Sequence, residues 1–382
     1  MEPAHRVPNL SGGRFSATYL LSVPSTEVEA YARELAIEQT VEFPESHIPL
    51  GDIADQIVGR VESVEPAGAS AYRVTISYAD EIAGGELAQL LNIVYGNVAL
   101  KPAVRLLAVA PSPGLARALP GPRCGISGLR ARLGIPRRPI LCTAIKPMGL
   151  STQALADQAL AYARGGIDVV KDDHGLTDQP FAPFRERVLR TLEALDRAAR
   201  ETGERTAYVA NVTAGPPALL ERARFAKDAG ASALMVAPGI AGLAAIDALA
   251  RDPALDLPIL AHPSGWGHFA GDPRRGIAHR ALFGHLLRLA GADGSIFVTH
   301  GGRFPDTPED SREVVEGCRA PLAGYAPILP MAGGGVTVPR LEALVDELGS
   351  DLSLLVGGGL HTAGPDLIAN CRAFRRKVER FA

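Results

Sequence analysis

Residues 140–147 read Ile140-Leu141-Cys142-Thr143-Ala144-Ile145-Lys146-Pro147, a continuous apolar run that stops at a lysine and a proline. A short run without polar–apolar alternation is expected of a strand buried on both faces of a parallel sheet. The same pattern returns downstream in DVVKDD (168–173), AYVANV (207–212), ALMVAP (233–238), PILAHP (258–263), SIFVTH (295–300), PILPMAGGG (327–335) and LSLLVGGG (352–359). Between the runs lie amphipathic stretches such as TQALADQALAYARGG and ALLERARFAKDAG, whose closing glycines stand where helices usually stop. Eight strand–helix units in succession predict an α/β fold with a closed (β/α)8 barrel, the TIM barrel, over 126–382. An open doubly wound sheet also alternates, but eight units in about 240 residues suit closure better.

Residues 1–125 are expected to form a separate α+β domain of ferredoxin-like type. Alternation over Phe15–Val23 and Ala71–Tyr78, with helical stretches around Thr26–Ile37 and in GGELAQLLNIV (84–94), gives strand, helix, strands, helix. That order predicts a small antiparallel sheet with helices on one face. The Pro- and Gly-rich stretch 111–122 reads as a connector.

The chain has 382 residues, enough for a barrel and a second domain, and can bury a large core without covalent staples. A net charge of −3 gives no reason to expect nucleic acid or an anionic membrane surface as partner. The four cysteines are scattered without CxxC spacing and read as reduced thiols. The N-terminal MEPAHRVPNLSGGRF lacks an apolar core, and no apolar run approaches the roughly 18 residues that span a membrane. A cytoplasmic protein is the expectation.

In such barrels the chemistry sits where the strands end. The run ends carry Lys146, Lys171-Asp172-Asp173-His174, Asn211-Val212-Thr213, His262, His300 with Arg303, Gly333-Gly334-Gly335 and Gly357-Gly358-Gly359, whereas the earlier parts of the runs are mostly Ile, Leu, Val and Ala. That polarity asymmetry points to an enzyme. Alternation places Lys171 and Asp173 on one face and Asp172 on the other. Lys171 beside a carboxylate is either an ion pair that satisfies a buried lysine or part of a hard-cation site. His174 suits magnesium less well, since imidazole favours softer metals. Lys146 and His262 are either solvated or packed strand-end residues, or groups that transfer protons. The two glycine triplets serve tight turning, or let backbone amides approach a phosphate. Cys142 reads as core. Trp266, in SGWGH, either walls a pocket or packs.

These residues resemble the RuBisCO large-chain family, and the resemblance covers almost the whole chain. GGIDVVKDDH (165–174) is similar to the family's GGxDxxKDDE motif, TAIKPMGLS (143–151) to TIKPKLGLS, NIVYGN (92–97) to NIxGN, and NVTAG (211–215) to NATAG. The resemblance implies that Lys171 is carbamylated and, with Asp173 and His174, holds Mg2+. It implies that Lys146 transfers protons, that His262 ends the fifth barrel strand in the catalytic site, and that Gly334, Gly335, Gly357 and Gly358 line a phosphate site. Glu38 and Asn97 would reach the site from a partner subunit, so a homodimer or higher assembly is implied.

The departures are specific. His174 stands where the family has a glutamate, Met148 where KPK has its second lysine, and Pro263 where an arginine follows the histidine. Arg303 falls near the position of the family's loop lysine. Without those cations a bisphosphate loses charge-assisted contacts, so carbon dioxide fixation is not expected. A RuBisCO-like protein that keeps the enolising chemistry is. The KPMGLS and KDDHG patterns look most like members that decarboxylate 3-oxo-isoapionate 4-phosphate, or transfer its carboxyl group with hydrolysis. The alternative is an isomerase or enolase acting on a methylthio-sugar phosphate in methionine salvage. A third reading, a non-catalytic sugar-phosphate-binding barrel, leaves a lysine beside a cation site unexplained.

Overall fold

The computed structural model describes residues 5–302 and 304–382. Strands β1 (Arg14–Leu21), β2 (Arg60–Gly68), β3 (Ala71–Ala79) and β4 (Val104–Ala110) form the first sheet. Along β1 burial alternates strictly, and Phe15, Ala17, Tyr19 and Leu21 are the buried set. A period of two places that set on one face, and the core it joins includes residues of helices Val28–Glu38 and Leu87–Tyr95. The stretch read as a connector holds a helix, Pro113–Ala118, with Ser112 accepting from the Leu115 amide and proline in the first turn. Proline costs nothing there because the missing N–H would have no helical partner.

Eight further strands close into a barrel: β5 (Ile140–Ile145), β6 (Val169–Asp172), β7 (Ala207–Asn211), β8 (Ala233–Val236), β9 (Ile259–Ala261), β11 (Gly294–Val298), β12 (Leu329–Gly333) and β13 (Ser353–Leu355). All pairings around it are parallel, and β13 returns to β5 through Ser353 and Ile140. Each barrel strand lies within, or one residue ahead of, an apolar run of the sequence. The barrel interior is packed by Cys142, Val169, Val209, Met235, Leu260, Ile296 and Met331 among others. It is therefore a core and not a pore, and chemistry is confined to its rim.

One pairing departs from the expected antiparallel sheet. Strand β10, the dipeptide Gly276–Ile277, lies between β9 and β11 in sequence but pairs parallel with Arg105 and Leu106 of β4. The first sheet, ordered β10-β4-β1-β3-β2, is thus mixed and takes its last strand from the barrel half. Ala278 adds an amide bond to the Leu106 carbonyl (2.8 Å). Among the described residues no helix is long and apolar enough to cross a membrane.

Candidate active site

Lys171 and Asp172 occupy the end of β6, and the alternation sends them to opposite sides. Asp172 faces the helix layer and is fully buried with Arg187 of helix Phe184–Thr202. The guanidinium meets both carboxylate oxygens at 3.1 and 3.3 Å. Tyr208 Oη donates to Asp172 (2.8 Å), as does the Asn211 amide (3.0 Å). Arg187 places its other donors on the carbonyls of Ala182 and Thr177. A buried pair so fully hydrogen-bonded fixes the end of β6 from behind.

Lys171 faces inward and is 1% exposed, with Nζ donating to the Asp172 carbonyl (3.0 Å). Burial pushes its amine below the ordinary lysine range, against the opposing pull of Cys142 and Asp173. Asp173 follows at the rim. Burial opposes its ionisation, but the His174 contact and the nearby Lys171 and Lys146 outweigh burial and hold the carboxyl well below the usual range. Lys146 Nζ stands 3.9 Å from one Asp173 oxygen, and His174 Nδ1 stands 3.5 Å from the other. The His174 ring stacks on His262, with centroids 4.5 Å apart and planes 12° from parallel. Burial, then Lys171 and His174, push His262 down to about 2, so this ring is neutral at physiological pH. Its Nδ1 meets Ser264 Oγ at 2.9 Å.

Two amides place these groups. Gln158 reaches back from helix Thr152–Arg164 to accept from the Lys146 N–H (2.8 Å) and donate to the Lys146 carbonyl (2.7 Å). Asn211, at the end of β7, donates to the carbonyls of His174 (3.0 Å) and Leu176 (2.9 Å), tying down the loop that carries Asp173 and His174.

Of the residues singled out in the sequence, Lys146, Lys171, Asp173, His174 and His262 come together. Gly357 joins them: a Cβ there would sit 3.2 Å from Lys146 Nζ. Gly358 faces open space. Gly334 and Gly335 adopt φ of +81° and +93°, a region that favours glycine. Among the described residues no backbone–backbone hydrogen bond outside the helices and strands uses the N–H of Gly334, Gly335, Gly357 or Gly358. Backbone amides on two neighbouring strand ends are the kind of donor an anion site uses.

Other expected residues lie elsewhere. His300 turns sideways, to Glu347 (3.4 Å) and Ser311 Oγ (3.3 Å), so it does not join the cluster. Asp172 faces away from the rim, as described. Trp266 packs edge-on against Phe283 (5.8 Å) and is 5% exposed. Asn97 donates to Glu38 (3.0 Å), and both line a surface pocket of about 120 Å³ formed only by residues of the first half of the chain. Arg303 lies outside the described residues. Arg187, Gln158 and the helix-borne partners had no motif to announce them; they become visible only when the helices pack.

The donor set tests the expected magnesium ion. Among the described residues no three His, Cys, Asp or Glu side chains converge as a metal site. Asp173 offers a carboxylate and His174 an imidazole, while Lys171 offers an amine, which a hard cation does not favour. A carbamate on Lys171 would supply the missing oxygens. Burial favours the uncharged form of Lys171, and it is an uncharged amine that adds carbon dioxide, so the residues fit the ion once Lys171 is modified.

The catalytic-domain model of the ribulose bisphosphate carboxylase large chain matches residues 125–380. The chain belongs to the RuBisCO large-chain family. It is 40% identical over 365 residues to ribulose bisphosphate carboxylase-like protein 1 of Rhodopseudomonas palustris, covering 96% of this chain and 97% of that one. It is 36% identical over 366 residues to 5-methylthioribulose-1-phosphate isomerase of Rhodospirillum rubrum, covering 96% of each. The crystal structure of a Rubisco-like protein from Rhodopseudomonas palustris superimposes with a TM-score of 0.87 at 34% identity, over 97% of this chain and 99% of that one. This RuBisCO-like chain thus shares both its barrel and its first domain with those relatives.

Proposed function

We propose that this RuBisCO-like protein is a magnesium-dependent enzyme that moves a proton next to the carbonyl of a monophosphorylated keto sugar, isomerising or enolising it. The observation that carries the reading is Lys146 Nζ at 3.9 Å from Asp173, above the buried Lys171 and beside the neutral His262. Lys171 as a carbamate, Asp173 and His174 would hold the ion. When bound, it would act as a Lewis acid that offsets charge developing on the substrate oxygen.

Lys146 takes the proton from the hydroxyl-bearing carbon beside the carbonyl, leaving an enediolate, and returns it to the former carbonyl carbon, while the hydroxyl proton passes to the former carbonyl oxygen. Gln158 fixes both backbone groups of Lys146, so the amine swings on a settled base. His262 is a neutral ring that orients the substrate by hydrogen bonding; its low pKa makes it a poor proton donor as an imidazolium. Gly334, Gly335, Gly357 and Gly358 offer amides to the phosphate. Glu38 and Asn97 would come from a second copy of the chain, which places the expected dimer in the site itself.

The name of the Rhodospirillum rubrum relative, an isomerase of 5-methylthioribulose 1-phosphate, favours isomerisation over decarboxylation of 3-oxo-isoapionate 4-phosphate. The test is turnover of both compounds with magnesium and bicarbonate, with Lys171→Ala as control. Conversion of the methylthio-sugar phosphate that disappears in the variant supports the proposal. Carbon dioxide release from the keto acid alone would replace it with the decarboxylase reading.

A further inference from the structure

The loops that follow β11 and β12 touch backbone to backbone. A Cβ on Gly302 would fall 2.0 Å from the Gly334 carbonyl oxygen, and one on Gly335 would fall 2.8 Å from Gly302 Cα. One side chain bridges them. Arg340, from the short helical turn Val338–Arg340, donates Nη1 to the Gly335 carbonyl (2.7 Å) and Nη2 to the His300 carbonyl (2.5 Å). It is packed so closely that a Cβ on Gly301 would stand 3.0 Å from Nη2.

The geometry points to Arg340 as the positioning residue of a phosphate site. We infer that its planar fork sets the gap between the two loops, so that the amides of Gly334 and Gly335 face a terminal phosphate monoester. This rests on the phosphate reading of those glycines. The physical basis is simple. Carbonyls that would repel an anion are drawn onto the guanidinium on one side. With consecutive residues at positive φ, the amides are left to the other side. The guanidinium also brings a permanent positive charge to the loop base. A lysine could neutralise charge there but could not hold two carbonyls in one plane.

The test is a phosphorus NMR titration of inorganic phosphate into wild type, Arg340→Ala and Arg340→Lys, together with steady-state kinetics on 5-methylthioribulose 1-phosphate. The expected result is about tenfold weaker phosphate binding in Arg340→Ala, as the two glycine amides lose their set position. The kinetic loss should fall on KM more than on kcat, with Arg340→Lys intermediate. Unchanged phosphate binding in a folded Arg340→Ala overturns the role of Arg340 alone. If wild type binds no phosphate in competition with the sugar phosphate, the phosphate reading falls and this inference with it. A loss of kcat and of melting temperature with KM unchanged also overturns it, since it marks a structural residue only.

Discussion

Asp172 and Arg187 form an ion pair in which neither side chain is exposed, directly behind the strand end that presents Lys171. Removing one partner of such a pair strands a charge in a low-dielectric interior. Arg187→Met should therefore cost about 3–5 kcal/mol in chemical denaturation. A loss under about 1 kcal/mol would mean that Tyr208 and the Asn211 amide suffice to hold Asp172.

Gly302 tests the loop contact from the other side. Gly302→Ala drives a methyl into the Gly334 carbonyl, 2.0 Å away, and backbone must move. Overpacking of this kind costs about 1–3 kcal/mol. Here it should also raise KM for a phosphorylated substrate about tenfold or more, by parting the amides from the phosphate. Kinetics identical to wild type would remove these loops from the substrate site.

His285 makes the seam between the two halves acid-sensitive. Its Nδ1 meets the Val109 amide of β4 (3.3 Å), and burial, then Arg280 and Arg288, push the ring from 6.5 down to about 4. Folding thus keeps the ring neutral while the unfolded chain takes up a proton. Stability is full above pH 6.5 and declines as pH falls toward 4, by up to about 3 kcal/mol. Urea melts across that window should show a shallower decline in His285→Gln; an equal decline would assign acid sensitivity elsewhere.

The barrel was legible because strands buried on both faces spell continuous apolar runs, from ILCTAI at 140–145 to LSLLV at 352–356. The first sheet was less so. Strand β2 is largely exposed and carries Arg60, Glu62 and Glu65, so no apolar face marks it. Strand β10 is two residues long and exists only through β4. In the site, motif residues at strand ends were readable because polar and charged groups replace apolar ones there. His300 also ends a run, but position alone could not show that Glu347, on a later helix, draws its ring aside. Gln158, Arg187 and Arg340 were invisible for the same reason, as long polar side chains on helical segments are ordinarily solvated.

The central claim is that Lys146 carries the proton. It is tested most directly by exchange of the proton beside the carbonyl of 5-methylthioribulose 1-phosphate in deuterated water, with magnesium and bicarbonate, in wild type and Lys146→Ala. The account predicts exchange in wild type and a fall of about 10²–10⁴-fold in the variant, with phosphate binding retained. Exchange at the wild-type rate in Lys146→Ala would contradict it.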